Sequence, residues 1–504
     1  MFRFHRLAAA IAALLLASPA LPSVSSSAAS NQHSLRDRLM HRGGHAEEVM
    51  PQPLGAGTRM NPASRAAASP AVVPPGYPRY RLIDLGTLGG PESNTIFPGR
   101  TLNNRGAVIV SAQTAVPDPN CVLDCYYDHA LVRRANGRLV ELPFPAGIDP
   151  AVNYNCACDI ATNGQTGGFV TNGLIDPLTG FPQFRPVVWG AFGGVWDLGT
   201  FGGNSGQVNM LGPWGNAVGA ALNTVPEDPD FASFMNGSTP AATQARAFLW
   251  NGGKLRDLGT LGGNDAEALA INASGLIYGM SYTDTVAHDA TGLPTTHPFI
   301  WKNGSMQDLG TLGGTLAVVG DGLVGGPWGA TLNGRGQAIG TSTLAGDETW
   351  HAFLWDKGKM VDLGTLGGDN SEALAINELG WVMGRSDYSP DSSYHHATLW
   401  RDGTSKDLGV VAPCLNSTAT ASNSRGDVVA DLGYCTDDPS DLDFNSAFMW
   451  RPGREIVDLN NLVVPASSMH IESAFGINDK GEIAANAYLS TGELHAILLV
   501  PLAQ

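Results

Sequence analysis

The chain has 504 residues, 43% hydrophobic and only 15% charged, and its 63 Gly and 32 Pro favour short strands joined by turns over long helices. Its net charge of −17 is uneven, because residues 1–79 carry eight Arg and three acids while the rest carries 21 basic and 43 acidic residues. The acidic part of the chain after residue 79 repels polyanions, which excludes nucleic-acid binding as its function.

The N-terminus is typical of an export signal. "MFRFHR" is positively charged, "LAAAIAALLLA" is an apolar run too short to span a bilayer, and small residues follow at "SPALPS" and "SSAAS". We expect residues 1–29 to be a signal peptide, cleaved near Ala20 or Ala29, with no transmembrane segment left after cleavage. The expected location is secreted, either extracellular or in the cell envelope, including the periplasm.

Residues 30–78 are rich in Ala, Ser and Pro and lack periodicity. A segment such as "PASRAAASPAVVPPGYP" buries too little apolar surface to order itself. We expect a disordered linker here and a single folded domain over residues 79–504.

A repeated phrase organises this domain. "DLGTLGG" or a weaker match recurs, and its first position is occupied by Asp84, Glu141, Asp197, Asp257, Asp308, Asp362, Asp407 and Asp458. The spacings are 57, 56, 60, 51, 54, 45 and 51 residues. A period of about 50 residues indicates one supersecondary module per repeat, stable only when neighbouring modules cover its apolar faces.

The sixth repeat shows the module most clearly. "HAFLW" (His351–Trp355) and "KMVDLG" (Lys359–Gly364) predict one hairpin, and "EALAIN" (Glu372–Asn377) and "WVMGRS" (Trp381–Ser386) predict another. Four short antiparallel strands repeated in a circle form a β-propeller blade. The Ala- and Gly-rich hairpin is expected nearest the axis, where small side chains fit, with "HAFLW" and "DLG" outside it.

The ends of the domain predict how the ring closes. "YRLIDLG" (Tyr80–Gly86) lacks a preceding partner strand, and "HAILLVPL" (His495–Leu502) lacks a following one. Pairing them would complete the last blade and remove the open edge. The sequence therefore predicts an all-β propeller of four-stranded antiparallel blades, eight in number, or seven if residues 138–190 are irregular.

Several periodic residues have a structural interpretation. The phrase's Asp is expected to bond backbone N–H groups, and His at "HAF"-type strand starts to face solvent or a turn, because catalysis needs unlike residues converging once. Asn-x-x-Gly is typical of type I turns; it occurs at Asn103, Asn272, Asn333, Asn377, Asn423 and Asn478. The strand-ending Trp residues are expected to pack between blades, with a carbohydrate platform as the alternative; they are Trp189, Trp250, Trp301, Trp355, Trp400 and Trp450.

"HAFLW", "DLGTLGG" and "EALAINELGWVMG" together resemble the HAF-repeat family, bacterial extracellular repeat proteins. The resemblance covers roughly residues 80–500, although "ELPFPAG", "DLGVVAPC" and "DLNNLVV" lack the double Gly. It implies export and a repeat fold. It implies no activity, substrate or catalytic residues.

Strand alternation places the short turns on one face of the disc and the long variable connections on the other. Binding residues concentrate on variable loops held by a rigid scaffold, so the second face is where we expect a ligand. The candidate ligand-binding residues are Asp228, Asp230, Phe231, Phe234, Asp387, Tyr388, Tyr394 and His395. An acidic run has oxygen ligands suited to Ca²⁺ but no EF-hand spacing, so a solvated loop is the alternative; it contains Asp437, Asp438, Asp441 and Asp443.

Six Cys in an exported chain favour disulfides. Cys414 and Cys435 flank one hairpin on the loop side, and we expect them to bond. Cys121 and Cys125 are expected to pair with Cys156 and Cys158, because a Cys156–Cys158 bond would be strained. Zinc held by these four thiols is the alternative.

From the sequence we expect an exported, monomeric propeller that binds a glycan or protein ligand through the loop-bearing face. We expect no catalytic residues and no cofactor other than the Ca²⁺ considered above. One alternative is a polysaccharide lyase or glycosidase with its site in the central funnel. Two carboxylates about 5–10 Å apart, or a His/Tyr pair, would mark such an enzyme, whereas exposed aromatic residues on the rim would mark a binder. A structural protein of the cell envelope is the other alternative.

Overall fold

The structure is a computed structural model. It describes residues 73–95, 100–119, 125–178, 180, 182–228, 243–288, 292–320, 330–390, 394–412, 414–433 and 445–503. Within these ranges the chain forms 32 β-strands and two short 3-10 helices, Pro150–Val152 and Leu459–Leu462. Over the same ranges, no helix has the length and apolarity needed to cross a membrane.

The strands in chain order are β1 (Tyr80–Asp84), β2 (Gly89–Asn94), β3 (Val108–Pro117), β4 (Tyr126–Arg133), β5 (Leu139–Glu141), β6 (Asn155–Ile160), β7 (Thr166–Ile175), β8 (Pro182–Trp189), β9 (Val195–Asp197), β10 (Gly206–Leu211), β11 (Ala217–Pro226), β12 (Thr243–Trp250), β13 (Arg256–Asp257), β14 (Ala266–Ile271), β15 (Ile277–Tyr282), β16 (Thr296–Lys302), β17 (Ser305–Asp308), β18 (Gly313–Val318), β19 (Ala338–Leu344), β20 (Trp350–Asp356), β21 (Lys359–Asp362), β22 (Ser371–Ile376), β23 (Val382–Asp387), β24 (His395–Arg401), β25 (Thr404–Gly409), β26 (Asn416–Ser422), β27 (Val428–Gly433), β28 (Ser446–Trp450), β29 (Val457–Asp458), β30 (His470–Ile477), β31 (Ile483–Tyr488) and β32 (Leu494–Pro501).

These strands form a β-propeller. Six sheets have four antiparallel strands, and one has eight because β16 and β18 meet at a single parallel pair, Thr296 with Leu316. Divided at that pair, the described strands fall into eight groups of four, called blades here: β2–β5 (blade 1), β6–β9, β10–β13, β14–β17, β18–β21, β22–β25, β26–β29, and β30–β32 with β1 (blade 8). The predicted fold class, all-β with four-stranded antiparallel blades, is confirmed.

The two ends of the domain complete blade 8 together, as expected. Strand β1 pairs antiparallel with β32 over five residues, from Tyr80 opposite Pro501 to Asp84 opposite Ile497. Blade 8 also contacts blade 1: Asn486 Oδ1 accepts a hydrogen bond of 2.9 Å from the Thr95 N–H. The chain therefore returns to its start, where β1 forms the outer strand of blade 8 and covers the edge of β32.

The Asn-x-x-Gly segments form turns and also connect blades. In blade 6, Asn377 Oδ1 accepts the N–H of Leu379 and of Trp381, both at 3.0 Å, and Gly380 has φ of 81°. Asn side chains of successive turns donate to the backbone carbonyl of the next blade's turn. The series includes Asn423 to Asn478 at 3.2 Å and Asn478 to Asn103 at 3.1 Å. The turn assignment is confirmed, and the link between blades was not anticipated.

The first strand of each blade is the inner one. Strands β14 and β22 are almost wholly buried, whereas the fourth strands β13 and β21 are largely exposed, and first strands of neighbouring blades contact one another. Glycine permits close packing here: a Cβ added to Gly384 on β23 would lie 1.9 Å from the Glu372 carbonyl oxygen. The small residues of this hairpin therefore let the inner strands approach, as the sequence suggests.

The core consists of apolar layers between blades. Trp400 of blade 6, 2% exposed, packs in one cluster with Ile339 and Ala352 of blade 5. Trp189 of blade 2 lies with Ile109 and Ala107 of blade 1 and donates its indole N–H to the Pro143 carbonyl at 2.7 Å. Packing between blades, rather than an exposed aromatic platform, is the role of these residues.

The Asp of the repeated phrase bonds backbone and a neighbouring strand. In blade 5, Asp362 Oδ1 accepts the Gly364 N–H at 2.7 Å and meets His351 Nδ1 at 2.8 Å. The same arrangement closes blade 8, where Asp84 accepts the Gly86 N–H at 2.8 Å and meets His495 Nδ1 at 2.9 Å. In blades 5 and 8 the phrase therefore forms a turn and a His–Asp contact that hold the outer two strands together.

Candidate functional site

Strand registers define two faces of the disc. Ser371 pairs with Ser386 and Asp387 with His395, so first strands begin, second strands end and third strands begin on the same face. This is the loop face, and it carries the long connections. The turn around Asn377 lies at the opposite ends of the same strands, on the short-turn face. The predicted separation of turns from long connections is therefore correct.

A small cleft opens on the loop face between blades 5 and 6. Its volume is about 30 Å³, enough for one or two water molecules, so a larger ligand would cover it and extend outside. It is lined by Trp350, Asn370, Ser371, Glu372, Arg385, Ser386, Asp387 and His395.

An ion pair is part of the cleft lining. Glu372 on β22 and Arg385 on β23 face each other in register, with Arg385 Nη2 2.6 Å and Nε 2.8 Å from Glu372 Oε2. Glu372 Oε1 accepts the Trp350 indole N–H at 3.1 Å. Both carboxylate oxygens are therefore engaged, and a two-point Arg–carboxylate contact of this kind fixes the position of both side chains.

Asp387 is held from the start of the same blade. Its Oδ2 accepts the Asn370 side-chain N–H at 2.9 Å, and its backbone N–H donates to the Asn370 carbonyl at 2.9 Å. Asn370 Oδ1 in turn accepts the Trp350 N–H at 3.2 Å, which ties the cleft to blade 5. Asp387, 8% exposed, is thus a buried, positioned acceptor at the cleft wall.

Two tyrosines flank the strand ends beside the cleft. Tyr388 and Tyr394 follow Asp387 and precede His395, and they are 40% and 37% exposed. Tyr388 stacks on His396 at 4.4 Å between ring centroids and 25° between planes, which fixes its ring. His395 Nε2 lies 3.3 Å from Thr418 Oγ1 of blade 7. Of the predicted ligand-binding residues, Asp387 and His395 line the cleft, and Tyr388 and Tyr394 are their neighbours in the chain.

Among the other predicted binding residues, Asp228 is described by the structure, and it does not line this cleft. Asp228 lies on the loop face of blade 3, exposed, and its N–H donates to Glu227 Oε1 at 2.7 Å. Asp230, Phe231 and Phe234 lie outside the described residues. So do all four residues of the acidic run considered for Ca²⁺: Asp437, Asp438, Asp441 and Asp443. Among described residues no group of three or more His, Cys, Asp or Glu is arranged to hold a metal ion.

The prediction that Cys156 and Cys158 of blade 2 form disulfides with Cys121 and Cys125 is wrong. Cys156 and Cys158 are both free. They lie two residues apart on β6, with their sulfurs 3.9 Å apart, far beyond the about 2.05 Å of a disulfide. A β-bulge lies between Ala157 and Asp159; Cys158 is buried and Cys156 is half-buried. Cys121 and Cys435 lie outside the described residues, so the Cys414–Cys435 bond stays a prediction.

Glu372, Arg385, Trp350 and Asn370 were missed by sequence reasoning. A signal for the first two was present, because Glu372 precedes Asn377 by as many residues as Arg385 follows Gly380. Opposite charges equally far from a hairpin turn face each other across the strands. No comparable signal exists for Trp350, since it belongs to the preceding blade.

Two further acidic residues are buried between blades and have raised pKa values. Burial raises the pKa of Glu267 to about 7, although the Asn209 and Gln207 amides donate to it and oppose the shift. Burial also raises the pKa of Asp431 to about 7; the Ala474 N–H opposes this shift and the Glu472 charge adds to it. Neither residue lines the cleft, so both bear on stability rather than on binding there.

Comparison with known proteins gives no family. No protein-family model matches the chain, and no curated protein does either. Similar solved structures include a Pyrococcus horikoshii acylaminoacyl peptidase, at 10% identity and TM-score 0.39, covering 80% of this chain and 58% of the peptidase chain. An ulvan lyase of polysaccharide lyase family PL25 is 10% identical with a TM-score of 0.37, and the match covers 82% of this chain and 95% of the lyase chain. A streptogramin B lyase is 11% identical with a TM-score of 0.31, and the match covers 84% of this chain and 98% of the lyase chain. Similarity at this level transfers no activity to this chain.

Proposed function

We propose that this is an exported propeller that binds a glycan through the cleft between blades 5 and 6, without chemistry of its own. The observation that carries the proposal is the pair of exposed tyrosines, Tyr388 and Tyr394, beside buried and fixed polar groups. Tyrosine offers an apolar ring face and a polar tip, a combination enriched at binding interfaces with one apolar and one hydrated side. The C–H face of a sugar ring fits such a surface, and its hydroxyls fit the polar wall.

The polar wall supplies both kinds of hydrogen-bonding group. Arg385 has donors and Asp387 has acceptors, and His395 can serve as either. Their positions are fixed by Glu372, Asn370 and Thr418 respectively. Fixed partners lower the entropy cost of ordering side chains on binding. A polar ligand that reaches over a cleft of this size, rather than entering it, is therefore favoured.

The rival function is a glycosidase or lyase, since two carboxylates and a histidine line the same cleft. Against it, both oxygens of Glu372 accept hydrogen bonds, from Trp350 and from Arg385. A general acid or base needs an oxygen directed at the substrate, and both oxygens of Glu372 are directed at protein donors instead. The engaged state of Glu372 supports a binding role.

The test is a glycan and protein array probed with the full chain, with and without Ca²⁺. We expect capture by defined glycans, lost in Tyr388→Ala and Tyr394→Ala. Phe192→Ala is the matched control, because Phe192 is fully exposed in a turn between β8 and β9 on the short-turn face. Capture that survives both tyrosine substitutions would contradict the site. Product release from a polysaccharide panel would contradict the absence of catalysis.

A further inference from the structure

A second group on the loop face has a feature that its structural role does not explain. Glu227 follows β11 in blade 3, and Asp265 precedes β14 in blade 4; they are 8% and 0% exposed. Glu227 Oε1 accepts the Asn264 side-chain N–H at 2.8 Å, and Asp265 Oδ1 accepts the Ala245 N–H at 2.7 Å. Their other oxygens, Glu227 Oε2 and Asp265 Oδ2, are buried and have no hydrogen-bond partner.

A third orphaned oxygen belongs to the same corner. Thr243 begins β12 and pairs with Pro226, the residue before Glu227. Its hydroxyl oxygen is also buried without a hydrogen-bond partner. Buried polar atoms are nearly always satisfied, and an orphan in a native structure points to an unseen water or ion. Three such oxygens on adjoining strand ends indicate a missing shared partner.

The negative charge of the Glu227 and Asp265 carboxylates also lacks a basic side chain of its own. Two carboxylates buried side by side need a proton or a cation between them. The closest basic side chain, Arg246, is already paired with Asp257, its Nε 3.1 Å from Oδ2, and donates to the Asn264 carbonyl at 3.4 Å.

The repeat shows that the negative charge is not needed for the fold. Two other blades have Asn at the position of Asp265: Asn370 Oδ1 accepts the Trp350 N–H at 3.2 Å, and Asn416 Oδ1 accepts the His395 N–H at 2.9 Å. An amide thus makes the same bond to the preceding blade. Having Asp at the one position that faces Glu227 adds a buried like-charge contact, which is destabilising unless something binds there.

We propose that Glu227 and Asp265 bind a hard divalent cation of the Ca²⁺ type, with the Thr243 hydroxyl as a third protein ligand. Carboxylate and hydroxyl oxygens are the donors that such ions prefer, and water fills the remaining positions. The cation neutralises the acid pair and links blade 3 to blade 4 at the loop face. This site is separate from the glycan cleft and does not depend on it.

The test compares the full chain with Asp265→Asn, a substitution that Asn370 and Asn416 show to be compatible with the fold. Ca²⁺ binding is measured by calorimetric titration of metal-stripped protein, and melting temperature is measured in Ca²⁺ and in EDTA at constant ionic strength. We expect the wild type to bind one Ca²⁺ more than Asp265→Asn, and Ca²⁺ to raise the melting temperature of the wild type only. Glu227→Gln should behave like Asp265→Asn.

Asp431→Asn is the matched control, since it also replaces a buried acid between blades but should keep the wild-type Ca²⁺ response. The absence of Ca²⁺ binding overturns the proposal, and so do equal stoichiometry and equal melting shifts in the wild type and Asp265→Asn. A variant that is more stable than the wild type in Ca²⁺ as well as in EDTA also overturns it, because no bound cation would then offset the charge of the acid pair.

Discussion

Replacing Asp431 by Asn should make the domain more stable in alkaline solution. Asp431 lies on β27 in blade 7, 7% exposed, and its Oδ1 accepts the Ala474 N–H of blade 8 at 2.8 Å. Asn486 occupies the equivalent position in blade 8 and makes the same bond to Thr95, at 2.9 Å. The amide should therefore keep the contact between blades and remove only the ionisable group.

The size of the effect follows from the raised pKa. Burial, with the Glu472 charge adding to it, raises the pKa of Asp431 from 3.8 to about 7. The folded state holds a proton that the unfolded state has released, so stability falls as pH rises between these values and stays low above them. The difference corresponds to about 4 kcal/mol, of which roughly 3 kcal/mol falls between about pH 5 and pH 8.5.

The assay is urea denaturation of the wild type and Asp431→Asn at several pH values and one salt concentration. We expect the two unfolding curves to lie closest at pH 5 and to separate steadily toward pH 8.5, with the variant more stable. Asp402→Asn is the control, because Asp402 is an exposed turn residue with φ of 52°, a conformation Asn tolerates. Parallel pH profiles for the wild type and Asp431→Asn would refute the reasoning, since the charge would then not be what the fold opposes.

Three further predictions test the blades themselves. Gly384→Ala should lower the free energy of unfolding by about 3 kcal/mol or more, since its Cβ would lie 1.9 Å from the Glu372 carbonyl; Gly253→Ala, whose Cβ meets nothing within 4 Å, should stay near wild type in the same denaturation assay. Asp362→Ala should lower the free energy of unfolding by about 1 kcal/mol, because it removes the bonds to the Gly364 N–H and to His351. His351→Ala should lower it less, since solvent screens the contact between His351 and Asp362. A larger loss of stability in His351→Ala than in Asp362→Ala would contradict this. Peptide mapping without reduction should recover Cys414 bonded to Cys435, with Cys156 and Cys158 alkylated as free thiols; a disulfide containing Cys156 would contradict the structure.

Much of the fold follows from the sequence because the repeat states the same geometry many times. One alternation of "HAFLW", "DLG" and "EALAIN" is ambiguous, but its recurrence about every 50 residues leaves few arrangements of the strands. The unpaired "YRLIDLG" and "HAILLVPL" then have one natural partner each, and they do pair, from Tyr80 with Pro501 to Asp84 with Ile497. Sidedness follows from the same alternation, which is why the loop face was located correctly.

What the sequence did not show depends on how blades meet. The bond from Asn478 to the Asn103 carbonyl joins residues far apart in the chain, and nothing local in either turn indicates it. The cleft is hidden for the same reason, because Trp350 reaches Glu372 only across the contact between blades 5 and 6. The β-bulge at Cys158 also has no clear signature in the alternation of β6, the strand that carries the free thiols of Cys156 and Cys158.

Comparing equivalent positions around the ring separates architecture from function. Residues that recur in blade after blade, such as the phrase's Asp and the turn Asn, are already committed to backbone N–H groups and to neighbouring blades. Specific activity must therefore come from positions at which one blade departs from the rest at a cost in stability. Asp265 departs from Asn370 and Asn416. Arg385 faces Glu372 at a register pair where blade 4 has Met280 opposite Glu267 and blade 7 has Asp431 opposite Thr418. These departures lie on the loop face or between blades, where a ligand or ion can offset the cost, and they are the positions at which substitution should alter binding while leaving the propeller intact.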